Sequence, residues 1–127
     1  MNFKKVAVGI AQGLLSASLF MSGVMKLTTP YEDLVAQMSW AGYTPPFIVI
    51  LIGLLEILGV IGMNLPFLLK KYKQLVPISA GGLALTMLGA IITHLLIGEN
   101  IIAALVLFVI ASIVTYSRLE LLKSNNN

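Results

Sequence analysis

From Val6 to Met25 the chain runs without a charged residue, and three more apolar windows follow: Phe47 to Leu69, Leu75 to Ile97 and Ile101 to Ser117. A helix needs about 20 apolar residues to cross the hydrocarbon core of a bilayer. The first three windows reach that length. The last, held between Glu99 and Arg118, is short and crosses only with little tilt or with its ends in the interface. Within lipid every backbone polar group must be satisfied internally, so such segments are helices. Composition agrees: 58% of the residues are hydrophobic and 10% charged, whereas soluble domains carry roughly 25% charged residues. The expected architecture is all-α, a four-helix transmembrane bundle in a single domain, residues 1–123, with spans near 6–27, 47–69, 75–97 and 101–117. Residues 124–127, Ser-Asn-Asn-Asn, read as a polar tail.

The chain has no cysteine. That removes disulfides, thiol redox pairs, lipoprotein anchors and Cys-bound zinc or iron–sulfur clusters. One histidine is too few for a zinc site or for paired haem ligands. The net charge of +3 is scattered between apolar runs without a basic face, so no nucleic-acid partner is expected. Lys4 and Lys5 ahead of Val6–Met25 imitate a signal peptide. The run is too long for one, however, and lacks a small-residue cleavage site, so it reads as a retained span.

Lys4, Lys5, Lys70, Lys71, Lys73, Arg118 and Lys123 fall on one side of this arrangement, and only Lys26 on the other. The positive-inside rule then places both termini in the cytoplasm, in what is expected to be a bacterial cytoplasmic membrane. The Thr28–Pro46 loop and the Gly98–Asn100 turn face outward. Thr29-Pro30-Tyr31-Glu32 reads as an N-cap, a proline at the first helical position and a capping-box Glu. Tyr31, Leu34, Val35 and Met38 follow at helical spacing up to Trp40, with Gly42 as the stop. This pattern predicts a short amphipathic helix lying on the outer membrane surface between spans 1 and 2.

Helices in lipid associate through small residues that let backbones approach. Gly9 and Gly13 form one such pair on the first span. Ser79, Gly82, Thr86, Gly89 and Thr93, spaced 3-4-3-4, form a seam on the third. Gln12, Ser16, Ser22, Gly23 and Lys26 gather on one side of the first helix. Gly53, Glu56, Gly59 and Gly62 drift round one side of the second.

Glu56 is the residue that breaks the apolar pattern. It lies nine residues past Phe47, about 13–14 Å into the membrane at 1.5 Å per residue. An isolated charge at that depth costs about 2.5–3.5 kcal/mol on insertion scales, so it must face inward and be protonated or paired. Lys26 and His94 sit near the same outer end, and Ser22 is one turn below Lys26. These four residues are expected to converge on a polar pocket, with a Lys–Glu height gap of about 10 Å to bridge. Each also has a plainer role: Lys26 snorkelling to headgroups, His94 as a packing or interfacial histidine, and Glu56 as interhelical glue.

Beside those residues stands a resemblance. Ser22-Gly23-Val24-Met25-Lys26-Leu27, then Pro30, then Gly53-Leu54-Leu55-Glu56-Ile57-Leu58-Gly59, then Met87, Ala90, His94 and Gly98, taken in order, resemble the DoxX-like family of small four-span membrane proteins over all but the tail. Membership implies kinship with subunits associated with thiosulfate:quinone oxidoreductase, with a maturation factor for methylamine dehydrogenase, and with eukaryotic proteins that assist receptor assembly or cargo export. A shared fold does not transfer one of those functions, and the absence of cysteine removes any thiol-exchange version.

Three functions follow as expectations. The first is a quinone- or lipid-binding accessory subunit of a membrane redox complex, with Lys26 or His94 donating to a quinone carbonyl and Glu56 handling a proton. The second is a non-catalytic membrane assembly or chaperone-like interaction protein, which works through its small-residue seams and outer helix beside a membrane protein partner or a second copy. The third is a proton-coupled transporter. No independent catalytic set and no metal or cofactor ligands are visible, so the chain is not expected to be an enzyme by itself.

Overall fold

The computed structural model describes residues 2–123; the polar tail lies outside them. Every regular element among the described residues is a helix, without a strand. Four long helices coincide with the four apolar windows: α1 (Phe3–Thr28), α3 (Pro46–Leu69), α4 (Leu75–Ile97) and α5 (Ile102–Ser117). Between the first two lie α2 (Tyr31–Gln37) and a 3₁₀ turn, Ser39–Tyr43; a second 3₁₀ turn, Leu119–Lys123, follows α5. Helices α1, α3 and α4 are long and apolar enough to cross a membrane, while α5 has 16 residues.

Connections between the helices follow from local chemistry. Gly98 takes a left-handed conformation, φ +77°, and Glu99 N–H donates back to the His94 carbonyl at 2.8 Å, which ends α4 in a glycine cap. Pro45 sets extended backbone ahead of α3, and Pro46 occupies its first turn, where a missing N–H costs nothing. Two non-glycine residues, Lys70 and Tyr72, hold φ of +59° and +63° in the α3–α4 connection.

The helices pack in a closed ring, α1 on α3, α3 on α4, α4 on α5 and α5 back on α1. Its centre is filled from all four: Leu15 and Leu19, Val60 and Met63, Val76, Ala80, Leu83 and Met87, Ala111 and Val114. The outside is equally apolar. Leu14, Leu58, Leu68, Leu85, Leu96 and Val106 are exposed, as expected where lipid replaces water. Hydrophobicity therefore does not distinguish inside from outside, and the ring is arranged by close fits and polar contacts.

Those close fits are centred on α3. Gly23 and Gly53 meet backbone to backbone: a Cβ on Gly23 would lie 2.9 Å from the Gly53 carbonyl oxygen, and one on Gly53 would lie 3.1 Å from that of Gly23. Further along α3, Leu83 fills the hollow at Gly59 and Ser79 the hollow at Gly62. The expected seam on α4 is thus used only at Ser79. The face α4 buries is Val76, Ala80, Leu83, Met87 and Ile91, because the holes are on α3 and α4 supplies the larger side chains. Gly9, Gly13, Gly82 and Gly89 have nothing within 4 Å of an added Cβ, and Thr86 and Thr93 return their hydroxyls to the Gly82 and Gly89 carbonyls.

The loop helix also departs from expectation. Pro30 itself is the N-cap, with no side-chain cap bond, and α2 stops at Gln37, so the Thr29 capping box does not form. Leu34, Ala41 and Val49 make a small second core, packed by Tyr31, Val35, Met38 and Trp40. Tyr31 ties it shut, donating to the Ala41 and Thr44 carbonyls at 2.8 and 2.9 Å. The apolar side of α2 is therefore turned onto its own loop and the start of α3.

Gly23→Ala is expected to lower stability by about 1–3 kcal/mol through overpacking against fixed backbone. Gly9→Ala, with open space around it, should stay within about 0.5 kcal/mol. Thermal unfolding of both variants in the same detergent checks the pair.

Candidate functional site

The α1–α3 contact is antiparallel: Gly23 opposes Gly53, and Gln12 opposes Asn64. In that register Lys26 lies one turn beyond the glycine crossing and Glu56 one turn before it, about 9 Å apart along the axis at 1.5 Å per residue. The gap closes because side chains lean toward the N-terminus of their own helix. With opposed helices, Lys26 leans down and Glu56 leans up. Lys26 Nζ donates to Glu56 Oε1 at 2.8 Å.

Ser22, one turn back on α1, joins the pair. Its hydroxyl accepts from Lys26 Nζ and lies 3.3 Å from each Glu56 carboxylate oxygen, in position to donate. The Trp40 ring covers the ammonium at 5.7 Å from its centroid, a cation–π distance. Lys26 is 6% exposed and Glu56 2%, so charge and counter-charge are removed from the surroundings together. The ammonium donates to Glu56 and to Ser22, and the Trp40 ring lies alongside it. No buried side-chain nitrogen or oxygen among the described residues lacks a partner. Chemically this is a closed clasp.

His94 is not among those contacts. Its Nδ1 lies 3.1 Å from Glu99 Oε1, with the two side chains 22% and 32% exposed. The turn at Gly98 folds Glu99 back over the last turn of α4, which puts the carboxylate within reach of the ring. Of the four residues expected to converge, the structure joins Lys26, Ser22 and Glu56 and places His94 in a separate pair.

Sequence reasoning passed over a second polar network, toward the end of the bundle that carries the termini. Gln12 Nε2 donates to the Met63 carbonyl at 2.9 Å and to Asn64 Oδ1 at 3.3 Å. Asn64 Nδ2 donates to Ser16 Oγ and the Val60 carbonyl, each at 2.8 Å. Arg118 Nε donates to Gln12 Oε1 at 3.1 Å, and its guanidinium stacks 5.2 Å from the Phe67 centroid. The available signal was Asn64, an amide inside an apolar span. Its opposition to Gln12 follows from the same register that sets Gly23 against Gly53.

Two surface depressions are defined elsewhere: one lined by Lys4, Ser112, Tyr116 and Glu120, the other an apolar groove along α3 and α4. Neither is lined by Lys26, Ser22 or Glu56.

Long apolar helices, a lipid-like exterior and an ion pair sealed inside the bundle define a small helical integral membrane protein. The chain belongs to the DoxX-like family, whose family model matches residues 10–116. No curated protein and no solved structure matches it.

Breaking a buried pair leaves one charge uncompensated, whereas replacing both partners by apolar groups is often neutral. Lys26→Met and Glu56→Met are each expected to lose about 3–5 kcal/mol, with the double variant recovering most of that loss. Unfolding of the four proteins in one detergent, read as a double-mutant cycle, checks the coupling.

Proposed function

We propose that this chain is a four-span, non-catalytic membrane assembly or interaction protein, and that its Lys26–Glu56 pair fixes the mutual position of α1 and α3. The observation that carries this reading is the enclosure of the pair: Lys26 already donates to Glu56 and Ser22 beside the Trp40 ring, at 6% exposure. A quinone carbonyl would have to displace Glu56, Ser22 or Trp40. The quinone- or lipid-binding accessory role also relied on His94 beside Glu56, and His94 is paired with Glu99 instead. The face offered to another membrane helix is the outer side of α4, where Gly82 and Gly89 meet no neighbour among the described residues. Small residues of that kind let a second helix approach closely.

The test is native mass spectrometry of protein purified in mild detergent, with solvent extraction, for wild type and Glu56→Gln. The expected result is no stoichiometric quinone in wild type and a lower melting temperature in the variant. A stoichiometric quinone, lost from Glu56→Gln while the melting temperature holds, would replace this reading by the accessory redox role.

The proposed orientation puts both termini and Lys70–Lys73 in the cytoplasm of a bacterium and the α2 loop outside, following the lysine asymmetry. Because the chain has no native cysteine, single Ser39→Cys and Lys71→Cys variants report it directly. A membrane-impermeant maleimide applied to intact cells should label the first and spare the second until the membrane is opened.

A further inference from the structure

Among the described residues, a groove between α3 and α4 has a lining and surroundings that specify an occupant. It has a volume of about 360 Å³. Leu58, Ile61, Leu65 and Leu69 line one wall and Leu75 part of the other, and Leu58, Ile61, Leu69 and Leu75 are exposed. From Leu58 to Leu69 it runs about 16–17 Å along α3, close to half of the roughly 30 Å hydrocarbon core. That is the depth of one leaflet. With the α3–α4 connection at the membrane surface, the Leu58 end of the groove is near the middle of the membrane.

The connection end is cationic. Lys70 and Lys71 are exposed there, and Lys73 shares the connection. Tyr72 lines the groove at this end with φ +63°, a conformation in which an aromatic residue is rare and which its surroundings must hold. Lys71 Nζ lies 5.7 Å from the centroid of the Tyr72 ring. The left-handed backbone at Lys70 and Tyr72 thus keeps an aromatic wall and an ammonium group together where the acyl groove meets the headgroup layer. A slot one leaflet deep with positive charge at its surface end matches an amphiphile with a long apolar chain and a negative head.

We propose that this groove binds one anionic phospholipid, with an acyl chain along Leu58–Leu69 and the phosphate at Lys70 and Lys71. The site shares no residue with the Lys26–Glu56 pair, so it stands or falls separately from the role given to that pair.

The probe is phosphatidylglycerol against phosphatidylcholine of identical chains, added to delipidated protein in mild detergent and read by native mass spectrometry. Wild type should retain one phosphatidylglycerol with a preference of roughly tenfold, on the order of a few-fold for each lysine near the phosphate. Lys70→Gln/Lys71→Gln changes only exposed side chains and should bring that preference close to one. Ile61→Trp, which fills the groove from its exposed wall, should lower retention of both lipids. Unchanged melting temperatures would show both variants folded. Equal retention of the two lipids by wild type, an undiminished preference in the double lysine variant, or a two-copy complex that excludes lipid and is abolished by Ile61→Trp would each overturn the proposal.

Discussion

A carboxyl group inside a bundle of apolar helices has to find a cation or a proton, and in this chain Glu56 finds Lys26 at 2.8 Å. Much of the α1–α3 geometry is tied to that requirement. The two helices run antiparallel, so both side chains lean toward each other and close the axial gap. They must also approach closely, which is why the crossing point has glycine on both sides. Ser22 and Trp40 complete the enclosure, one from the preceding turn of α1 and the other from the segment that follows α2. The α2 loop is therefore part of the clasp, since its small core holds Trp40 over the ammonium.

The second network works at the opposite end of the same helix pair. Gln12, Ser16 and Asn64 join α1 to α3, and Arg118 extends the connection to the end of α5. With the glycine crossing inside the Lys26–Glu56 clasp and a second polar fastening further along the pair, α1 and α3 have little freedom to slide. Helix α4 is attached differently, through Leu83 and Ser79 seated in the Gly59 and Gly62 hollows. Where the apolar effect does not select one helix face over another, these specific contacts determine the arrangement.

Much of the candidate site was legible before any coordinates. A lone Glu in an apolar span, a Lys at the outer end of the preceding span and a Ser one turn below it pointed to one another, and the stripe from Gln12 to Lys26 is the side of α1 turned to α3. The small-residue reading of α4 failed in a particular way. Periodicity identifies a stripe without saying which neighbour it meets, and glycines that accept side chains on α3 look the same in sequence as glycines on α4 that meet nothing. The same ambiguity affected His94. Its depth matched that of Lys26, but the αL turn at Gly98 supplied a nearer carboxylate in Glu99.

By itself the sequence determined that the chain is helical, that it belongs in a membrane, where its long helices begin and end, and that Glu56 needs a partner. Those are consequences of local composition and of the cost of unpaired polar groups in lipid, which act on every segment separately. Only the tertiary structure decided which partner Glu56 takes, that Asn64 and Arg118 meet through Gln12, and that α2 folds its apolar side onto the loop. It also decided that a groove opens beside Lys70 and Lys71. Each of these depends on helix register and rotation, and in an apolar exterior with an apolar core no single-segment pattern fixes either one. They are set when small residues from different helices come into contact.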